Sequence, residues 1–177
     1  HVYSEIMPCD ATAEEISAAG PSAIILSGGP ASVNEEGAPR VDPKIYELGI
    51  PVLGFCYGHQ ITAVTLGGTV FHPEVGEYGR AELHVKAGSK LFAGTPADQT
   101  VWMSHFDAVK DVPEGFVVTA STDVCPVAAM ENAERKIYTT QFHPEVKHTE
   151  YGQQLLKNFL FEICGLEANW SMDNLVE

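Results

Sequence analysis

The stretch Pro51-Val-Leu-Gly-Phe-Cys-Tyr-Gly-His-Gln60 decides the fold that the sequence predicts. Its apolar first half is typical of a buried strand, and the residues from His59 to Leu66 are typical of a short buried helix. Cys56 stands at the turn between them, where Gly54 and Gly58 allow a strained backbone and close packing of strand and helix. This arrangement is a nucleophile elbow, in which the helix N-terminus favours the thiolate. We therefore predict a catalytic cysteine, with a buried structural cysteine as the alternative.

The composition indicates one globular domain. The chain has 177 residues, of which 45% are hydrophobic and 19% charged. No apolar run is long enough to cross a membrane, and the N-terminus does not have the pattern of a signal peptide. The net charge is −14 and Lys and Arg are not clustered, which argues against a nucleic acid or an anionic membrane as partner.

The cysteine pattern gives no sign of a metal site or a disulfide framework. Cys9, Cys56, Cys125 and Cys164 lie far apart, and none forms a C-x-x-C pair. We expect no bound metal and a reducing, cytoplasmic location. Apart from Cys56, the cysteines are expected to be ordinary buried or loop residues.

The first third of the chain alternates strand and helix patterns. A strand over His1–Met7 is followed by a helix with a Thr12–Glu15 capping box that ends near Gly20, an apolar strand at Ala23–Leu26 and a helix over Asp42–Leu48. Together with the elbow, this order predicts an α/β fold with a doubly wound, mostly parallel sheet and flanking helices.

The remainder has a different pattern. Short strand-like runs punctuated by Pro, Gly and Asp predict a small antiparallel addition and a return to the main sheet; they are Ala81–Val85, Thr100–Met103, Phe116–Ser121, Val127–Glu131 and Lys136–Phe142. A helix with an apolar face is predicted over Glu150–Ile163, ended by Gly165. We expect one domain over residues 1–165 and a linker over residues 166–177.

A thiol nucleophile needs a base and a group that orients the base. Two histidines lie in identical tetrapeptides, His72-Pro-Glu-Val75 and His143-Pro-Glu-Val146. His143 follows an apolar strand and so is placed at a strand end, as Cys56 is. Pro144 fixes the backbone so that His143 and Glu145 can converge. We predict Cys56, His143 and Glu145 as the catalytic residues.

The other copy has a different context. His72 leads into the loop Gly76-Glu-Tyr-Gly79, so we expect His72 and Glu74 in a solvent-exposed loop. A metal site built from His72, His84, His143 and His148 is the alternative, but their spacings are not those of metal ligands.

An acyl-transfer site also needs an oxyanion hole. The residue after the nucleophile, Tyr57, supplies one backbone N–H. The turn Ser27-Gly-Gly-Pro30 can supply the other from Gly29, although a plain tight turn is the alternative. Gln60 is a candidate for holding the polar end of a substrate, with structural capping as an equal alternative.

Several segments resemble the class I glutamine amidotransferases, and among them most closely the glutaminase domains of the GMP synthetase family. They are Ile24-Ile-Leu-Ser-Gly-Gly-Pro-Ala-Ser-Val33, Glu36-Gly-Ala-Pro39, Pro51 to Gly58, Glu77-Tyr-Gly79, Val101-Trp-Met-Ser-His105, Ala120-Ser-Thr-Asp123, Gln141-Phe-His-Pro-Glu-Val-Lys-His-Thr149 and Leu155-Leu-Lys-Asn-Phe-Leu160. The tail Asn169-Trp-Ser-Met-Asp173 is similar to the start of the connection to that family's ATP-pyrophosphatase (synthetase) domain.

The resemblance implies a class I glutamine amidotransferase domain that hydrolyses glutamine to glutamate and ammonia through a Cys56 thioester. The ammonia would serve the ATP-dependent amination of XMP to GMP in the synthetase domain, normally in the same chain, where ATP and Mg are expected. No cofactor is implied here, and the full-length enzyme is expected to be a homodimer. By resemblance, Gly29 and Tyr57 form the oxyanion hole, and Gln60, Ser104, His105 and Asp107 line the glutamine pocket.

The sequence departs from the family pattern in places. The family begins with an additional strand and helix before the point where this sequence starts, so an incomplete sheet is expected. No synthetase sequence follows, so this chain alone is not expected to make GMP. The family commonly has methionine at His59 and glycine at Phe106, and the His72 segment is unusual for its loop.

Three other functions are compatible with the sequence. The domain can be the glutaminase of another amidotransferase, such as that of anthranilate or CTP synthesis. It can be an inactive, truncated interaction module that retains the triad by descent, or a thiol hydrolase of γ-glutamyl peptides.

Overall fold

A seven-stranded sheet forms the centre of the molecule. The computed structural model describes residues 1–171. The strands, in the order in which they neighbour one another, are β1 (Ile24–Leu26), β2 (Val52–Phe55), β9 (Ile137–Thr140), β8 (Ala129–Asn132), β7 (Val117–Ser121), β4 (Glu77–Val85) and β5 (Asp98–His105). A second, two-stranded antiparallel sheet pairs β3 (Thr69–Phe71) with β6 (Ala108–Asp111).

The parallel part of the sheet carries the predicted nucleophile. β2 pairs in parallel with β1 on one side and with β9 on the other, and all four residues of β2 are buried. Covered on both faces, a strand of this kind reads as a continuous apolar run. The ladder extends beyond β2, since the N–H of Cys56 donates to the carbonyl of Thr140 at 2.9 Å. Cys56 and the segment that follows β9 therefore meet at the same edge of the sheet.

The remaining pairings in the described sheet are antiparallel: β9 with β8, β8 with β7, β7 with β4, and β4 with β5. The predicted α/β fold with parallel strands at the elbow, flanking helices and an antiparallel addition is confirmed. The sheet is mixed rather than mostly parallel, because the antiparallel strands join the main sheet instead of forming a separate small unit.

The helices agree with the local signals. α1 (Ala13–Ala19) has the Thr12–Glu15 capping box and ends at Gly20 in the left-handed conformation. The predicted Asp42–Leu48 helix is a short 3₁₀ helix, Pro43–Glu47, capped by Asp42. α2 (Tyr57–Thr65) follows Cys56, and α3 (Gly152–Lys157) continues as a π-helix over Asn158–Ile163.

The predicted strand over His1–Met7 is wrong. This segment has no regular structure, and Ile6 and Tyr3 are exposed. Its sequence favours an extended chain, but a strand also requires a neighbour to pair with, and β1 pairs only with β2 among the described residues. Residues 166–171 of the predicted linker have no regular structure, and residues 172–177 lie outside the described part.

No helix in the described part of the chain combines the length and the apolar character that spanning a membrane requires. The main buried cluster instead packs between the sheet and the C-terminal helix, with Phe142, Tyr138 and Phe159 among its largest side chains.

Candidate active site

The backbone at Cys56 has the strained turn of a nucleophile elbow. Its φ of 55° and ψ of −110° lie in a region that side chains other than glycine rarely adopt. The turn is possible because Gly58 lies directly against β1: a Cβ added there would be 2.1 Å from the carbonyl oxygen of Leu26. A Cβ on Gly54 would likewise be 2.7 Å from the carbonyl oxygen of Gly58. Both glycines of the motif are therefore required by close packing of strand and helix.

His143 and Glu145 converge on Cys56. Nδ1 of His143 donates to Oε1 of Glu145 at 2.7 Å, across the intervening proline. The imidazole also forms a hydrogen bond with Cys56. The structure thus brings together the three residues that the sequence predicted as catalytic, in the order thiol, imidazole, carboxylate.

The hydrogen bond with Cys56, and next that with Glu145, raise the pKa of His143 from 6.5 to about 10. Partial burial of the ring acts in the opposite direction but is outweighed. The ring therefore carries a proton at neutral pH. An imidazolium at this position stabilises a thiolate and holds a proton that a leaving group can take.

The backbone at His143 is fixed by strand β5. Its N–H donates to the carbonyl of Trp102 at 3.1 Å, and its carbonyl accepts from the Thr149 hydroxyl at 2.6 Å. The same hydroxyl accepts from the N–H of Trp102 at 3.1 Å. Thr149 was not among the predicted site residues, although it closes the segment Gln141–Thr149 that carries the resemblance.

The predicted oxyanion turn lies beside the thiol. A Cβ added to Gly28 would be 3.0 Å from Cε1 of His143 and 3.2 Å from Cβ of Cys56, whereas one on Gly29 would meet only Tyr57, at 3.8 Å. The first N–H groups of α2, beginning at Tyr57, lack carbonyl partners within the helix. Gly28, which sequence reasoning passed over, is the glycine that admits the catalytic pair; only the contact distance reveals it.

The segment Ser104–Asp107 forms a wall next to the thiol. The Cys56 sulfur lies 3.7 Å from the carbonyl oxygen of Ser104. His105 is buried, with Nδ1 donating to the carbonyl of Asp107 at 2.7 Å and Nε2 lying 3.0 Å from Oε1 of Glu77. Both ring nitrogens are thus occupied within the protein, which leaves none for a substrate and makes His105 a support of the wall.

Gln60 supports the same wall from helix α2. It is 5% exposed, and its Nε2 donates to the carbonyl of Asp107 at 2.8 Å and to Oε1 of Gln141 at 3.1 Å. Of the two roles that the sequence left open for Gln60, this geometry favours the structural one. The structure does not bring its amide nitrogen to the thiol.

His59 is fully buried and belongs to the core. Burial lowers its pKa to about 3, so the ring is neutral. Nε2 donates to the carbonyl of Val127 at 3.1 Å, and Nδ1 accepts from the Thr139 hydroxyl at 2.8 Å. The hydroxyl and the carbonyl explain how a polar ring is accommodated where the resembled family commonly has methionine.

Glu77, His105 and Cys125 are the one group of metal-ligand side chains that lie together in the described part of the chain, with ligand atoms within 4.8 Å of one another. These atoms already have protein partners. Glu77 accepts from Thr122 at 2.8 Å and pairs with His105, while the Cys125 thiol, its pKa raised to about 12 by burial, lies 3.5 Å from the carbonyl of Val127. The four predicted alternative metal ligands, His72, His84, His143 and His148, form no such group among the described residues.

His72 is exposed, as predicted, but it is not free in solvent. Nδ1 lies 2.7 Å from Oδ1 of Asp107, and the ring stacks on Phe106 with centroids 4.2 Å apart and planes inclined by 20°. The other carboxylate oxygen of Asp107 accepts from the Ser32 hydroxyl. Glu74 is exposed on the same loop.

Comparison with known proteins agrees with this geometry. The family model of the class-I glutamine amidotransferases matches residues 1–163. A curated GMP synthase [glutamine-hydrolyzing] from Clostridium novyi (strain NT) is 54% identical over 177 residues, which are 100% of this chain and 35% of the relative. The GMP synthase of Streptomyces coelicolor is 57% identical over 177 residues, covering 99% of this chain and 34% of the relative.

A solved structure gives the same result. A protein from Thermoplasma acidophilum, described as one of the subunits of a GMP synthase, superposes with a TM-score of 0.81 at 34% identity, covering 91% of this chain and 80% of the other. The chain spans about a third of the length of the curated relatives, which leaves most of each relative without a counterpart in this sequence.

Proposed function

Since the chain belongs to the class-I glutamine amidotransferases, we propose that it hydrolyses glutamine to glutamate and ammonia at Cys56. The observation that carries this proposal is the convergence of the Cys56 thiol, the His143 ring and the Glu145 carboxylate at the end of the parallel strands. A strained cysteine in contact with a proton-carrying imidazole is the arrangement that thiol acyl transfer requires.

The proposed reaction has two halves. The Cys56 thiolate attacks the side-chain carbonyl carbon of glutamine, and the backbone N–H groups of Gly29 and Tyr57 stabilise the oxyanion. When the C–N bond breaks, the His143 imidazolium gives its proton to the departing ammonia, and a glutamyl thioester remains. The neutral ring then takes a proton from water as the water attacks the thioester, and glutamate leaves as the thiol is restored.

We assign the carboxylate of Glu145 to orientation. By holding Nδ1 of His143, it fixes which nitrogen faces the thiol and stabilises the positive charge of the ring. We place the polar end of glutamine against the wall Ser104–Asp107, where the Ser104 carbonyl lies beside the sulfur.

We further propose that the ammonia is used in the ATP-dependent amination of XMP to GMP by an ATP-pyrophosphatase domain. The names of the curated relatives, at 52–57% identity, support this acceptor over those of anthranilate or CTP synthesis. Residues 1–165 would then be the amidotransferase domain and residues 166–177 the connection to that partner, which would bind ATP and Mg and mediate dimerisation. The four free thiols fit a cytoplasmic location.

The experiment combines the chain with a purified synthetase domain of a relative. With XMP, ATP and Mg, wild-type chain is expected to support GMP formation from either glutamine or ammonia. Cys56→Ala should abolish glutamine-dependent synthesis while the ammonia-dependent reaction continues. Glutamine-dependent synthesis by the Cys56→Ala mixture would contradict the proposal.

A further inference from the structure

His72 and Phe106 are two positions at which the sequence departs from the pattern of the resembled family, and in the structure they contact each other. Their rings are nearly parallel, with centroids 4.2 Å apart. The side chain of His72 is 72% exposed, yet its ring is held both by this stacking and by a hydrogen bond to Asp107. An exposed imidazole with two specific partners is ordered for a reason other than burial.

The Asp107 carboxylate joins two loops that are distant in sequence. One oxygen accepts from Nδ1 of His72 and the other from the hydroxyl of Ser32, on the loop that follows the Gly28-Gly29 turn. The carboxylate side chain is 10% exposed, so a charge held there requires such donors.

The backbone of Asp107 is held from the opposite side. Its carbonyl oxygen accepts from Gln60 at 2.8 Å and from His105 at 2.7 Å, both of which are buried. The wall Ser104–Asp107 is thus fixed from below by core residues, and from above only by Ser32 and His72. Because the Ser104 carbonyl lies beside the Cys56 sulfur, a shift of this wall changes the space available to the substrate.

We propose that His72, the histidine of the second His-Pro-Glu-Val segment, is a positioning residue that fixes the wall Ser104–Asp107 for substrate binding. It acts through Asp107 and Phe106 and does not touch the reacting atoms. The inference rests on the proposed function, since it assigns the wall to glutamine recognition. His72 therefore affects the affinity for a glutamine-shaped ligand and leaves the intrinsic reactivity of the thiol unchanged.

Three substitutions separate the two contacts of His72. His72→Asn keeps a donor at the place of Nδ1, His72→Phe keeps only the stacking, and His72→Ala loses both. The control is His84→Asn, because His84 forms a similar pair through its Nδ1, 2.8 Å from Asp98, on strand β4. Both histidines are exposed, so the variants are expected to fold, which thermal unfolding checks.

The readout is the rate at which a diazo-ketone analogue of glutamine labels Cys56, measured against analogue concentration. We expect His72→Ala and His72→Phe to raise the half-saturating concentration about fivefold, the factor given by an interaction of ~1 kcal/mol, with the maximal rate preserved. His72→Asn should stay within about twofold of wild type. Alkylation of Cys56 by iodoacetamide, which needs no pocket, should be the same in all variants.

The outcomes distinguish this inference from the proposed function. If the wild-type chain is not labelled by the analogue, both are overturned. If it is labelled, but His72→Ala and His72→Phe show the half-saturating concentration of wild type and of His84→Asn, the inference alone is overturned. Equal slowing of the analogue and iodoacetamide reactions would also overturn it, since that pattern indicates a change at the thiol.

Discussion

Nδ1 of His143 donates a 2.7 Å hydrogen bond to Oε1 of Glu145, two residues further along the chain. Pro144 between them is buried and restricts the backbone, so the two side chains point to the same side. This pairing leaves the other ring nitrogen for Cys56. It therefore distinguishes His143 from His72, whose Nδ1 is directed to Asp107 in an identical tetrapeptide.

The first prediction concerns the choice between these two histidines. His143→Ala should lower kcat for glutamine hydrolysis about 1,000-fold, because it removes the group that transfers the proton. His72→Ala should retain most of the rate at saturating glutamine, since His72 contacts the wall and not the thiol. Glutamate release measured on both variants checks this, and a larger loss of kcat in His72→Ala would reverse the assignment.

The second prediction concerns the paired glycines of the oxyanion turn. Gly28→Ala should lower kcat on the order of 100-fold, because its methyl group would lie 3.0 Å from His143 and displace the ring from the thiol. Gly29→Ala should have a smaller effect, since its methyl group meets Tyr57 at an ordinary 3.8 Å and the backbone N–H is retained. Steady-state kinetics of the two variants provide the comparison, and a greater loss in Gly29→Ala is the contrary result.

The third prediction concerns the buried pair Glu77 and His105. Glu77→Ala should lower the free energy of unfolding by about 3–5 kcal/mol, because it leaves a buried imidazole without its partner. Glu77→Gln should cost much less, since an amide can donate to Nε2 of a neutral His105 and still accept from Thr122. Urea denaturation of both variants tests this, and equal destabilisation by Ala and Gln would show that the hydrogen bonds are not what matters.

The fourth prediction concerns pH and His59. The pKa of His59 is lowered to about 3 in the folded chain, so between pH 6.5 and pH 3 the unfolded state binds more protons than the folded state. The stability that a neutral His59 provides is complete above pH 6.5 and is lost as the pH falls, by at most about 1.4 kcal/mol per pH unit. His59→Met should flatten this dependence in urea titrations between pH 7 and pH 5.

His84→Asn serves as the control for that titration. The hydrogen bond from His84 to Asp98 raises the pKa of His84, so its contribution is present at low pH and is lost as the pH rises. Its removal should therefore leave the acid-side loss of stability in place. An equal slope in wild type and His59→Met would contradict the assignment of the acid sensitivity to His59.

Short-range patterns in the sequence predicted the elements around Cys56 well. The apolar run of β2, the glycines at positions 54 and 58, and the Thr12–Glu15 capping box each impose a local constraint that is readable in a few residues. The sheet order is not local. β9 lies between β2 and β8, and no pattern within β9 indicates that one neighbour is parallel and the other antiparallel.

The supporting contacts of the site were less accessible to sequence reasoning. His72 and Asp107 are 35 residues apart, and Glu77 and His105 are 28 apart. Each residue alone is compatible with a solvent-exposed loop or with the substrate pocket. Only the fold shows that His105 and Gln60 direct their nitrogens to protein acceptors, and that two departures from the family pattern meet as a stacked pair.

The most direct test of the central claim, that Cys56 is a nucleophile directed at glutamine, is mass spectrometry of the chain after incubation with the diazo-ketone analogue of glutamine. We predict a single adduct at Cys56 that excess glutamine suppresses, with no adduct at the exposed Cys9. A folded chain that remains unlabelled, or one labelled at Cys9 as readily as at Cys56, would contradict the account.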